Sequence, residues 1–155
     1  MKKLVALILV LTSITFTSCS KDDSPSEDVQ EELFLKFTYD GQNYNFNPAT
    51  VTSLQKNVTG MQEINSVLNR LDLWMPVNSS TGSYNITDEF PTESNLTTLY
   101  NAEFWIGDAT YVATSGTLVI TAVNDEYITG TFNFTAEDDN GVVVVVTDGS
   151  FNAYK

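Results

Sequence analysis

Few side-chain types in this chain can carry out chemistry. The 155-residue sequence has no histidine and one cysteine, Cys19, so reactions would rest on carboxylates, hydroxyls, amides and a few amines. Without histidine there is no Ser-His-Asp triad, no Cys-His pair and no imidazole metal site. We therefore expect a protein that is not an enzyme and needs no cofactor.

Carboxylates are the strongest remaining candidates for catalysis. Glu89, Glu93 and Glu103 could supply a glycosidase pair, in which two carboxyl groups lie about 5–5.5 or 6.5–9.5 Å apart. The sequence does not show such a spacing, and charged side chains usually belong to a solvated face. A carboxylate-dependent hydrolase is therefore the least favoured function considered.

A cluster of acidic residues near the C-terminus could bind calcium through its oxygen atoms. The members are Asp138, Asp139 and Asp148, with Asn140 beside the first two. Their spacing is not that of an EF-hand loop, and Asp-Asp-Asn-Gly is ordinary turn chemistry. We predict a turn and no metal site, with these three aspartates as a weak calcium candidate.

Aromatic side chains could form a platform for a sugar or a peptide, because they offer rigid contact area. The candidates are Trp74, Tyr100, Trp105 and Tyr111. Trp105 follows Phe104 in an alternating segment, so it points outward if Phe104 faces the core. Trp105 is therefore the best single binding candidate, unless a second layer or a loop covers it.

Cys19 follows a segment typical of a cleaved signal peptide. Two lysines precede an unbroken apolar run at residues 4–11, which is far shorter than the roughly 20 residues of a spanning helix. Thr17, Ser18 and Cys19 resemble the lipobox of bacterial lipoproteins, although Phe16 stands where that pattern prefers leucine. We predict cleavage before Cys19 and lipidation of its thiol.

This signal divides the chain into three parts. Residues 1–18 are the predicted lipoprotein signal peptide, residues 19–32 are the lipidated cysteine with a flexible acidic tether, and residues 33–155 are one domain. Residues 20–23, Ser-Lys-Asp-Asp, resemble the acidic export signal of Bacteroidota surface lipoproteins. That resemblance implies an outer-membrane lipoprotein on the cell surface, with a periplasm-facing position as the alternative.

The formal net charge is −13, so the domain lacks the basic surface that nucleic acids require. Negative charge also disfavours direct docking on anionic lipid. The predicted membrane contact is the lipid on Cys19 alone, and nucleic acid is not an expected partner.

Alternating apolar residues predict strands through most of the domain. Asp40-Gly41 is a hairpin signal, and three neighbouring strands over the last forty residues form an antiparallel meander. Residues 62–69 fit both helical and strand spacing, so the sequence does not decide between a helix and a strand there. The predicted fold is an all-β antiparallel β-sandwich with a C-terminal three-strand meander, and the alternative is a lipocalin-like β-barrel.

Five segments resemble a group of uncharacterised Bacteroidota lipoproteins. They are residues 39–44, 82–84, 115–121, 128–136 and 146–151, the last reading Val-Thr-Asp-Gly-Ser-Phe. The resemblance implies a small β-rich domain of unknown function and brings no catalytic residues.

The expected function is a surface-displayed, non-enzymatic binding or interaction module, with a glycan or a protein as its ligand. The alternative is a structural or accessory subunit of an outer-membrane assembly.

Overall fold

The computed structural model describes residues 31–155, so the predicted signal peptide, Cys19 and nearly all of the predicted tether lie outside the described residues. Glu31–Lys155 form one compact unit. Its strands are β1 (Phe34–Tyr39), β2 (Gln42–Phe46), β3 (Pro48–Thr52), β4 (Lys56–Ile64), β5 (Val67–Met75), β6 (Gly82–Thr87), β7 (Asn101–Ile106), β8 (Ala109–Val123), β9 (Tyr127–Glu137) and β10 (Val143–Tyr154). Within residues 31–155, no helix is long and apolar enough to cross a membrane.

The strands form one antiparallel sheet in the order β2-β1-β10-β9-β8-β7-β5-β4-β3, with β6 paired to β8. The sheet curls on itself. Phe104 of β7 lies 5.5 Å from the ring of Phe37 and 5.1 Å from that of Tyr39, although three strands separate β7 from β1. Thr50 of β3 donates a hydrogen bond to the carbonyl of Tyr154 in β10. The predicted all-β antiparallel fold is confirmed, and this curvature fits the barrel alternative as well.

The C-terminal meander shows the plainest relation between sequence and structure. In β9, Ile128, Phe132 and Phe134 are buried, whereas the intervening Thr131 and Asn133 are exposed. This alternation follows from the two-residue period of a strand. β9 pairs with both β8 and β10, so the predicted three-strand meander is confirmed.

Residues with positive φ form the turns of the β1–β2 and β4–β5 hairpins. Asp40 and Gly41 have φ values of 48° and 70° and join β1 to β2, as their sequence predicts. Residues 62–69, which the sequence left undecided between helix and strand, form the tip of the β4–β5 hairpin. The turn residues Asn65 and Ser66 have φ values of 52° and 64°. A positive φ is uncommon for serine, and the Asn-Ser pair of this turn is not the usual Asn-Gly hairpin signal.

Candidate functional site

The outer face of β5 and β7 carries a row of polar and aromatic side chains. These residues alternate with core residues such as Leu71 and Phe104, which are fully buried. The cross-strand register places Arg70 opposite Trp105, Asp72 opposite Glu103, and Trp74 opposite Asn101. The two strands therefore bring two tryptophans, two carboxylates, an arginine and an amide onto one surface.

Asp72 is 1% exposed although it points away from the core. The guanidinium of Arg70 binds its carboxylate, with an NH2 nitrogen 2.8 Å from Oδ2 and Nε 3.1 Å from Oδ1. The same guanidinium lies 5.6 Å from the ring centroid of Trp105. Arg70 therefore neutralises Asp72 and helps to bury it.

Glu103 lies beside this pair and is only half-buried. Burial raises the pKa of its carboxyl above the ordinary value; the hydrogen bond from Trp105 opposes this shift, Asp72 adds to it, and Arg70 opposes it. The indole Nε1 of Trp105 lies 3.3 Å from Oε2. Glu103 is thus a carboxyl group fixed in orientation and partly removed from water.

The β6–β7 loop, residues 88–100, covers one end of this surface. The side chain of Asn95 organises it: Oδ1 accepts from the backbone N of Thr92 at 2.7 Å, and Nδ2 donates to the carbonyl of Phe90 at 3.0 Å. Two amides tie the loop to the sheet. Gln55 Nε2 donates to the Leu99 carbonyl at 3.2 Å, and Asn101 Nδ2 donates to the Glu89 carbonyl at 3.1 Å.

Between the loop and the sheet lies a cleft, and we name it the Trp74 cleft. Its inner cavity, of about 230 Å³, includes Gln55, Trp74, Phe90, Pro91, Asn101 and Glu103 in its lining. Its outer cavity, of about 460 Å³, shares Gln55, Trp74 and Pro91 and adds Leu54, Glu93 and Leu96. Phe90 is 73% exposed, so an aromatic ring stands at the rim in contact with solvent.

Asn101 gives the cleft an unsatisfied acceptor. The residue is only 8% exposed, and its Oδ1 has no hydrogen-bond partner among residues 31–155. Asn57 Oδ1 and Thr59 Oγ1, on the neighbouring strand β4, are likewise buried without a partner in the described chain. Buried polar groups are normally paired, so these three oxygen atoms depart from the usual pattern, and Asn101 is the one of the three residues that also lines the cleft.

The four aromatic residues predicted from the sequence do not form one platform. Trp74 and Trp105 share the outer face, but only Trp74 lines the cleft. Tyr100 is buried and stacks on Tyr84 at 4.1 Å between ring centroids. Tyr111 lies opposite Phe104 and packs against the core.

The structure separates the calcium candidates. Asp138 is a turn residue, and its Oδ1 accepts from the backbone N of Asn140 at 2.9 Å and of Val142 at 2.8 Å. Asp139 is its neighbour in the β9–β10 turn, whereas Asp148 lies at an irregularity within β10. In the described part of the chain, no three acidic, histidine or cysteine residues are grouped to hold a metal ion.

The predicted carboxylates also differ in position. Glu103 lines the inner cavity and Glu93 the outer one, whereas Glu89 contributes its backbone carbonyl to the loop anchor. Cys19 lies outside the described residues.

Gln55, Phe90 and Asn101 were not identified from the sequence. The clearest signal was Phe90-Pro91, an aromatic-proline pair within a polar loop. Gln55 and Asn101 gave no such signal, because their role depends on the fold that buries them.

Comparisons with known proteins add a family but no function. No curated protein and no solved structure matches the chain. One family model matches residues 35–154, which extend from β1 to the end of β10. This agrees with the expected likeness to an uncharacterised family. The chain belongs to the family described as a domain of unknown function (DUF6252).

Proposed function

We propose that this protein is a non-enzymatic binding module and that the Trp74 cleft is its ligand site. One observation carries the proposal: a cleft with apolar and aromatic walls is lined by Asn101, whose buried Oδ1 has no hydrogen-bond partner within residues 31–155. Ligand sites commonly combine an apolar concave surface with a few convergent polar groups.

The cross-strand carboxylate pair of Glu103 and Asp72 favours binding over hydrolysis. Glycosidases of the usual kind place two carboxyl groups on either side of the bond that breaks. Here Glu103 lines the cleft, but its cross-strand neighbour Asp72 is 1% exposed and is held by Arg70. The pair lies side by side on the sheet, and only one member opens to the cleft.

The proposed location is the outer membrane, with the domain displayed on the cell surface by lipid on Cys19. Support comes from the lysine start, the short apolar run and the Bacteroidota-like acidic segment after the cysteine. A lipid anchor with more than one chain holds durably, whereas a single chain binds reversibly. A periplasm-facing position is the alternative.

A structural or accessory role in an outer-membrane assembly has one favourable observation. The pairing of β1 with β10 ends at Val146, so residues 143–145 are hydrogen-bonded to β9 alone in the strand pairing. Val143 and Val145 are exposed on this free edge. An open strand edge is a site where another protein can add a strand.

The binding function is tested with an array of glycans and peptides and two matched variants. Trp74→Ala removes the wall of the cleft, and Tyr154→Ala removes a half-exposed ring outside the cleft lining. We expect a ligand that the unchanged protein and Tyr154→Ala bind equally, with at least tenfold weaker binding by Trp74→Ala. An array without any Trp74-dependent ligand would contradict the proposal.

The alternative is tested by co-purification from membranes. If residues 143–145 recruit a partner, Val145→Lys should abolish its recovery while Trp74→Ala leaves recovery unchanged.

A further inference from the structure

We infer that the group held in the Trp74 cleft is cationic, the guanidinium or ammonium of an arginine or lysine side chain on a peptide. This inference rests on the proposed function, since it names the ligand class of the same cleft.

The hydrogen-bonding groups at the cleft favour a donor. The amide nitrogens of Gln55 and Asn101 both donate to loop carbonyls, those of Leu99 and Glu89. Asn101 Oδ1 remains without a partner in the described chain, and Glu103 adds a carboxyl group to the lining. An ammonium or guanidinium group carries only donors, so it complements these acceptors.

The charged residues in the lining of the cleft are both acidic. Glu103 lines the inner cavity and Glu93 the outer one, and the lining of the two cavities includes no lysine or arginine. Arg70, on the same outer face, is bound to Asp72 and stacked near Trp105. With a formal net charge of −13 on the whole chain, the field attracts cations and repels anions.

The walls fit the rest of such a side chain. Trp74 and Phe90 present aromatic rings, whose faces attract a cation. Leu54, Pro91 and Leu96 continue the lining as an apolar surface. Lysine and arginine bury their aliphatic stems on apolar surface while their charged ends reach polar groups.

A neutral sugar fits the same cleft less completely. Its hydroxyl groups both donate and accept, so they gain most from a site that offers both kinds of partner. Each amide nitrogen of Gln55 and Asn101 already uses one of its two N–H groups on a loop carbonyl, and the acidic lining gives a neutral ligand no electrostatic advantage.

The test compares three probes on the purified full chain by calorimetry at low and moderate salt. The probes are a blocked Arg-Gly-Arg-Gly-Arg peptide, the same peptide with glutamine for arginine, and a neutral oligosaccharide, cellohexaose or chitotetraose. Trp74→Ala tests the cleft and Glu103→Gln its charge. Asp139→Asn changes the net charge equally at an exposed turn residue outside the cleft lining.

We expect the arginine peptide to bind at least tenfold tighter than the glutamine peptide. Its affinity should fall at higher salt, because salt screens the attraction between charges. Glu103→Gln should weaken it about tenfold, Asp139→Asn less than twofold, and Trp74→Ala should abolish measurable binding. If the oligosaccharide binds through Trp74 and Glu103→Gln leaves its affinity unchanged, the cationic ligand is overturned and the binding module is supported. Equal weakening by Glu103→Gln and Asp139→Asn would show general charge attraction and overturn the inference. Failure of the arginine peptide to bind through Trp74 would overturn the cationic ligand, whereas the binding module itself is contradicted by an array without any Trp74-dependent ligand.

Discussion

The outer faces of two parts of the same sheet differ in what they bury. In β9 the outward residues, such as Thr131 and Asn133, are exposed and only apolar inward residues are buried. On β5 and β7, the outward-facing Asp72 and Asn101 are buried as well. Burial of polar groups is costly unless they are paired. β9 therefore follows the pattern that folding alone requires, whereas the β5–β7 surface departs from it, as functional surfaces often do.

The largest expected effect on stability lies in the meander. Phe134 is 2% exposed and packs beside Phe132 at 6.3 Å between ring centroids. Phe134→Ala should lower the free energy of unfolding by about 3–5 kcal/mol, because it removes buried surface and leaves a cavity. Denaturant unfolding measures it. The exposed neighbour Asn133→Ala should stay within about 0.5 kcal/mol, and equal losses in the two variants would remove the contrast between faces.

The next largest effect should come from the outer face of β5. Arg70→Ala leaves the buried carboxylate of Asp72 without its charge partner, and we expect a loss of about 2–3 kcal/mol in the free energy of unfolding. If the unpaired charge causes the loss, adding Asp72→Asn to Arg70→Ala should restore part of the stability. A double variant no more stable than Arg70→Ala would instead point to lost packing against Trp105.

The meander could be predicted from the sequence because each of its features is local. Alternation along residues 128–136 and the turn at residues 138–141 define the strands and the face that each side chain joins. The β4–β5 hairpin was missed as such, because Asn65-Ser66 takes a turn conformation that usually includes glycine. Local signals were sufficient only where the turn residues were the common ones.

The candidate site was harder to predict, since it joins segments far apart in sequence. Gln55, Phe90 and Asn101 meet only when the β6–β7 loop folds back on the sheet. The sequence could indicate that Trp74 and Trp105 alternate with core residues. It could not indicate that the loop covers Trp74 and leaves Trp105 outside the cleft, because that depends on hydrogen bonds between distant residues.

Alkaline pH should destabilise the protein through Tyr100, the chain neighbour of the cleft residue Asn101. Burial raises the pKa of Tyr100 to about 12 from the ordinary tyrosine value of 10.0. The unfolded chain therefore loses this proton first, so the stability falls as pH rises from 10 towards 12. Tyr100→Phe should show a smaller drop in melting temperature over that window. At pH 7 the two proteins should melt closely together, since the 3.5 Å contact from the hydroxyl to Ser79 is long for a hydrogen bond. Equal alkaline drops would mean that Tyr100 ionises as readily when folded.

The smallest expected effect is a gain in stability from a substitution, Glu103→Gln, that should also weaken binding. Because burial raises the pKa of Glu103 in the folded protein, the folded state binds this proton more tightly than the unfolded chain does. The stability should therefore fall as pH rises from about 4.5 through the folded pKa, and at neutral pH the ionised carboxyl opposes folding. Glu103→Gln should raise the melting temperature slightly at pH 7, corresponding to less than about 1 kcal/mol, and should flatten the pH dependence above 4.5. A thermal-shift series from pH 4 to 8 measures both. A variant that is more stable yet binds the arginine peptide less well would show that Glu103 is retained for its ligand; a less stable variant would show that Trp105 and Arg70 make the carboxylate part of the fold.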